Sequence, residues 1–112
     1  MHFRIHGDRA LLFRGVDTAE YRDWLVHGIL RPCPGGMEFG KHLAVHVGHA
    51  LAWRRILPTD QDDDPPRVLQ VSFPIDVAKS LDFLGPRLDG IGPAYFATYR
   101  QLEVAIITEV PK

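Results

Sequence analysis

The stretch Gly40-Lys41-His42-Leu43-Ala44-Val45-His46-Val47-Gly48-His49-Ala50 changes its period partway along, and that change decides the fold class. Lys41 to Val45 reads as a short strand. Beyond it, Val47, Ala50, Leu51 and Leu57 recur at helical spacing and mark the buried face of a helix. Arg54 and Arg55 lie near its end, where cations suit the negative pole of a helix dipole. The junction falls at Val45–Val47. A strand therefore feeds a helix in mid-chain, and the segments on either side decide what sheet it joins.

Toward the N-terminus, His2-Phe3-Arg4-Ile5-His6 alternates polar and apolar residues and reads as a strand. Ala10-Leu11-Leu12-Phe13-Arg14-Gly15 is a second, mostly apolar strand. Asp17 and Glu20 have capping-box spacing, Tyr21, Trp24 and Leu25 follow at helical spacing, and Gly28 is a stop. The pattern predicts a helix over 18–27. Arg31 to Gly36 is a loop by its prolines and glycines.

Toward the C-terminus, Thr59 to Pro66 is an acidic loop, expected to be mobile and dispensable. In Val68 to Phe73, Leu69, Val71 and Phe73 alternate with more polar neighbours, as in a strand. Ile75 to Leu84 has room for one short helix. Gly85 to Ala97 is expected to be irregular, and Leu102 to Val110 to be the last strand. Strands, two early helices and further strands make an α+β chain with an antiparallel or mixed sheet, not a doubly wound βαβ series. Residues 1–112 are read as a single domain.

Composition narrows the function. The 112 residues carry a net charge of -1, which argues against binding nucleic acid by bulk charge. Cys33 is the sole cysteine, excluding an internal disulfide and a multi-cysteine zinc site. No apolar run approaches the ~20 residues of a membrane span. Met1-His2-Phe3-Arg4 lacks the apolar core of a signal peptide. The domain is expected to stay in a cytoplasm or to be exported by other means.

Three sites carry candidate chemistry. Arg14 ends an apolar strand before Gly15. Its donors suit a phosphate or ribose, and the glycine admits a ligand close to the backbone. A surface arginine at a strand end has the same pattern. His42 faces away from Leu43 and can stack on a flat ring, or simply be one of six histidines. His42, His46 and His49 have no carboxylate in the same segment, so no metal is expected. Gln101-Leu102-Glu103 opens the expected last strand, where period two puts Gln101 and Glu103 on one face. Such a carboxylate can bind a sugar hydroxyl and stabilise an oxocarbenium-like transition state. Two polar residues on an exposed strand face give the same reading of the letters.

Together these segments resemble the ADP-ribosyltransferases, in the compact form found as toxin domains of bacterial effectors. Leu12-Phe13-Arg14-Gly15 is similar to the family's first motif, an Arg or His before a small residue. Gly40 to Ala50 is similar to its Gly-x-Tyr-Phe-Ala element, and Gln101-x-Glu103 to its Gln-x-Glu or Glu-x-Glu motif. His42 stands where the family has Tyr, and no Ser-Thr-Ser run is present. The resemblance implies a compact cleft fold in which NAD is held by Arg14, Gly15, His42, Leu43 and Ala50. It also implies that Glu103 is the catalytic glutamate and that Gln101 positions the acceptor. Arg14, His42 and Glu103 are then expected to converge on one cleft.

The activity implied is transfer of ADP-ribose from NAD to a protein or RNA, with release of nicotinamide. The expected setting is an effector domain acting in the cytoplasm of a target cell, opposed by a cognate immunity protein, with no membrane partner. Glutamine at 101 cannot act as a general base, which favours an amide or nucleobase acceptor. Arg54, Arg55, Arg87 and Arg100 are candidates for a local basic patch. Two rivals stand beside this reading. One is NAD hydrolysis on the same fold. The other is a non-catalytic module that binds protein through Phe39, Trp53 and the Gly90–Phe96 stretch.

Overall fold

A computed structural model describes residues 3–32, 39–56 and 67–111. In chain order the elements are β1 (Arg4–His6), β2 (Arg9–Val16), α1 (Thr18–His27), β3 (Gly40–Ala44), α2 (Val47–Ile56), β4 (Arg67–Pro74), α3 (Ile75–Lys79), β5 (Asp82–Leu88), β6 (Gly92–Thr98), α4 (Tyr99–Leu102) and β7 (Ile106–Glu109). The acidic loop over Thr59–Pro66 and most of the Arg31–Gly36 loop lie outside the described residues. No described helix is long and apolar enough to cross a membrane.

Among the described residues seven strands form one antiparallel sheet, six of them in the order β5-β6-β3-β2-β4-β7, with β1 paired to β2 off this path. Strand β2 pairs with β4 along its whole length, from Arg9↔Pro74 to Val16↔Arg67. Its other edge is shared. β1 occupies Arg9–Leu11, and β3 meets the same edge at Phe13↔Ala44. The chain is thus α+β, as expected, with every strand pair antiparallel.

Alternation sorts the strand residues onto two faces. On one face Leu12, Leu43, Leu69, Val71, Phe73 and Ala97 are fully buried with Leu102 in the main core, under α1, α3 and α4. On the other, Phe13, Ala44 and Val68 pack with Ala50 of α2. Gly15 belongs to this second face. A Cβ there would run into the Ala50 carbonyl and Arg54, so its lack of a side chain is what lets α2 lie close to β2. Buried Arg54 then donates from Nε to the Val16 carbonyl at 2.9 Å.

Helix α1 has the expected bounds, with the Asp17 side chain accepting from the Glu20 amide. The C-terminal third departs from expectation. Gly85–Ala97 is mostly strand, with register shifts on either side of Gly85. It supplies most of a β5–β6 hairpin, turned by Asp89 (φ 54) and Gly90 (φ 74). Two successive left-handed residues match the right-handed twist of the flanking strands, so Asp-Gly is a hairpin signal despite the prolines around it. The short helix expected within Ile75–Leu84 does form, as α3, and β5 begins at Asp82.

The last strand covers only Ile106–Glu109, and Gln101-Leu102-Glu103 is not part of it. Thr98 and Gln101 form a capping box: Thr98 Oγ1 accepts from the Gln101 amide at 3.1 Å, and Gln101 Oε1 accepts from the Thr98 amide at 2.8 Å. That reciprocal pair starts a helical turn where β propensity alone reads strand.

Candidate functional site

Arg14 sits on the main-core face of β2, in line with Ala10, Leu12 and Val16. An arginine there needs a buried acceptor, because an unpaired charge under a helix layer is strongly disfavoured. The first turn of α1 supplies one. Arg14 Nε donates to Glu20 Oε2 at 2.5 Å and Nη2 to Oε1 at 2.9 Å, while Nη1 donates to the His42 carbonyl at 3.0 Å. Lys41, on the same face of β3, reaches Glu20 Oε1 at 3.3 Å. Burial on its own pushes the Glu20 carboxyl up, but Arg14 and then Lys41 outweigh it and hold the group below its ordinary range. Lys41 Nζ also lies 6.0 Å from the centre of the Tyr99 ring.

His42 points the opposite way, onto the face that carries α2. Its ring meets Phe96 edge-on, with centroids 6.1 Å apart, across the β3–β6 pair His42↔Phe96. Helix α2 lies mainly on β2, β4 and β3, which leaves His42 and Phe96 half-buried. Burial lowers the His42 pKa, the Arg14 cation lowers it further, and the Asp89 carboxylate opposes both. The imidazole is therefore neutral at neutral pH, a flat surface with one ring donor and one ring acceptor.

The expected site residues part company in this geometry. Arg14 and His42 are joined, but through the His42 backbone. Arg14 has its side chain 18% exposed and uses its guanidinium inside the fold. Gly15 is filled by α2, and Leu43 and Ala50 are 0% exposed, so these three offer a ligand no side-chain surface. Gln101 has both ends of its amide engaged, since Nε2 also donates to Ser80 Oγ at 3.1 Å. Glu103 is exposed at the C-cap of α4, which packs on the main-core face through Leu102. His42 and Glu103 thus lie on opposite sides of the sheet, and the three-residue convergence does not form.

Sequence reading missed three residues here. Glu20 was legible: Arg14 shares its parity with Leu12 and Val16, and a charge on an apolar strand face demands a partner. Phe96 falls in the Gly90–Phe96 stretch that the rival reading gives to protein binding, and Asp89 in the segment expected to be irregular, so local pattern sets neither beside His42. Among the described residues, no three His, Cys, Asp or Glu side chains gather as metal ligands would. No protein-family model matches the chain, and neither a curated protein nor a solved structure matches it.

Proposed function

We propose that the domain binds NAD and breaks its nicotinamide–ribose bond, passing ADP-ribose to a protein or RNA acceptor. The observation that carries this reading is the neutral, half-buried ring of His42 set edge-on to Phe96 on the open part of the sheet. Two aromatic surfaces at that angle suit a flat heteroaromatic ring such as nicotinamide. The resemblance of the first two motifs supports the same assignment, since the β2–β3 pair sets Arg14 against the His42 backbone. On this reading the fold is a compact ADP-ribosyltransferase-like one, and Arg14 positions β3 rather than touching phosphate.

The step breaks the C1′–N bond. Its electron pair goes to the nicotinamide ring nitrogen, and the acceptor nucleophile bonds to C1′ and loses its proton to solvent. Positive charge builds on the sugar as the bond breaks, so a nearby carboxylate lowers the barrier. Asp89, in the turn of the β5–β6 hairpin whose strand β6 lies beside β3, is the carboxylate proposed for that task in place of Glu103, and its charge opposes the lowering of the His42 pKa. Gln101, engaged in its cap, takes no part.

The test is release of nicotinamide from NAD, followed by proton NMR, with and without protein and RNA pools. His42→Ala should abolish release and Glu103→Gln should retain it. Free ADP-ribose formed without any acceptor would identify the hydrolytic alternative. If wild type neither releases nicotinamide nor shows NAD-dependent shifts at His42 and Phe96, the reading fails.

A further inference from the structure

A second place in the fold is shaped for a ligand, and it is independent of the NAD reading. β1 and β3 share one edge of β2 without meeting. β1 reaches Arg4↔Leu11 and β3 starts its contact at Phe13↔Ala44, which leaves a notch between them on the α2 side of the sheet. A cavity of about 530 Å³ opens there, lined by Arg4, Phe13, Val45, His46, Val47 and Gly48. That volume lies within the range of small-molecule sites.

The lining divides by chemistry. Phe13 and Val47 form an apolar floor, while the Val45 side chain turns into the main core. Arg4 and His46 are exposed at the rim, and neither side chain has a hydrogen bond or ion pair among the described residues. Gly48 supplies the remaining wall. It is the second residue of helix α2, at an ordinary φ, and a Cβ added there would meet nothing within 4 Å. Neither backbone conformation nor packing requires a glycine here. What the glycine does is leave the wall of the cavity bare.

We infer that this notch binds a small organic anion with a flat apolar body, the body against Phe13 and the charge against Arg4. An arginine fork matches a carboxylate in geometry and charge. A ring seated against half-buried Val47 and the small exposed part of Phe13 removes apolar surface from water.

The probes are 1-naphthoate, the neutral 1-naphthalenemethanol and inorganic phosphate, each titrated into the whole chain and followed by amide NMR. Naphthoate should shift Phe13, Val45 and Gly48 and bind at least about tenfold more tightly than the neutral alcohol, the scale of one charge-assisted contact. Arg4→Gln should remove that difference. Gly48→Leu should block both aromatic probes while the melting temperature is kept, because the new side chain enters open space. His42→Ala should leave naphthoate binding unchanged, which separates this site from the NAD reading. Naphthoate shifts absent from the notch, a Gly48→Leu variant that binds like wild type, or phosphate binding as tightly as naphthoate would each overturn the inference.

Discussion

The guanidinium of Arg14 grips the carboxylate of Glu20 through two donors, and this buried pair fastens α1 to the middle of the sheet. Removing one partner leaves the other charge without compensation. Glu20→Leu is therefore expected to destabilise the fold by about 3–5 kcal/mol, since both Arg14 and Lys41 lose their anion. Urea denaturation of the variant checks this, and a loss under about 1 kcal/mol, the value of an exposed pair, contradicts it.

The same carboxylate predicts an acid limb. Its folded pKa lies below the ordinary value of 4.5, so its contribution to stability is complete above pH 4.5. That contribution is lost as pH falls through the lowered folded value. Glu20→Gln should be less stable at pH 7 and flatter between pH 5 and acid. Equal slopes for the two proteins would show that other groups govern the acid limb.

Gln101 is expected to matter for structure and not for turnover. Gln101→Ala removes the return half of the Thr98 capping box and the link to Ser80, at a cost of about 1 kcal/mol. Nicotinamide release should stay near wild type. A variant of normal stability that has lost turnover would restore the sequence-based role of Gln101.

Asp89 offers a cleaner functional test than most, because Asn tolerates its left-handed backbone. Asp89→Asn should fold normally and titrate His42 at a lower pH, since the one charge that raises the imidazole pKa is gone. On the NAD reading it should also slow nicotinamide release about a hundredfold. An unchanged His42 titration would place Asp89 outside the site.

Gly15 tests the packing of α2. Gly15→Ala sets a Cβ against the Ala50 carbonyl and Arg54, and backbone cannot move aside as a flexible side chain can. A loss of about 1–3 kcal/mol is expected from this overpacking, read from the thermal midpoint. A neutral outcome would mean that α2 slides freely on β2.

Much of this architecture was open to a reading of local pattern. The apolar periods of Ala10–Gly15 and Val68–Phe73, the Asp17 cap and the switch from strand to helix after Val45 all depend on residues within a few positions of one another. Alternation and capping act over that range, so the α+β class and α1 followed from the letters alone. The capping box at Thr98 was equally local, yet it was outweighed by the β-prone run after it. The Asp89-Gly90 turn was masked by the glycines and prolines around it.

What the letters did not decide is which polar residues meet. Arg14, His42 and Glu103 come in a suggestive order, but order along the chain says nothing about sides of a sheet. Parity puts Arg14 and His42 on opposite faces, and the helical turn at Thr98 carries Glu103 to the face away from His42. Glu20, about 70 Å of extended chain from Lys41, joins it only because β2 and β3 pair and α1 packs over them. Strand pairing and helix docking are long-range events, driven by burial of Leu12, Leu43 and Leu69 rather than by the polar residues themselves. Local pattern set most of the elements and their amphipathic faces. Which charges share a core and which ring faces the solvent came from long-range pairing, because only assembly of the sheet sets distant strands side by side.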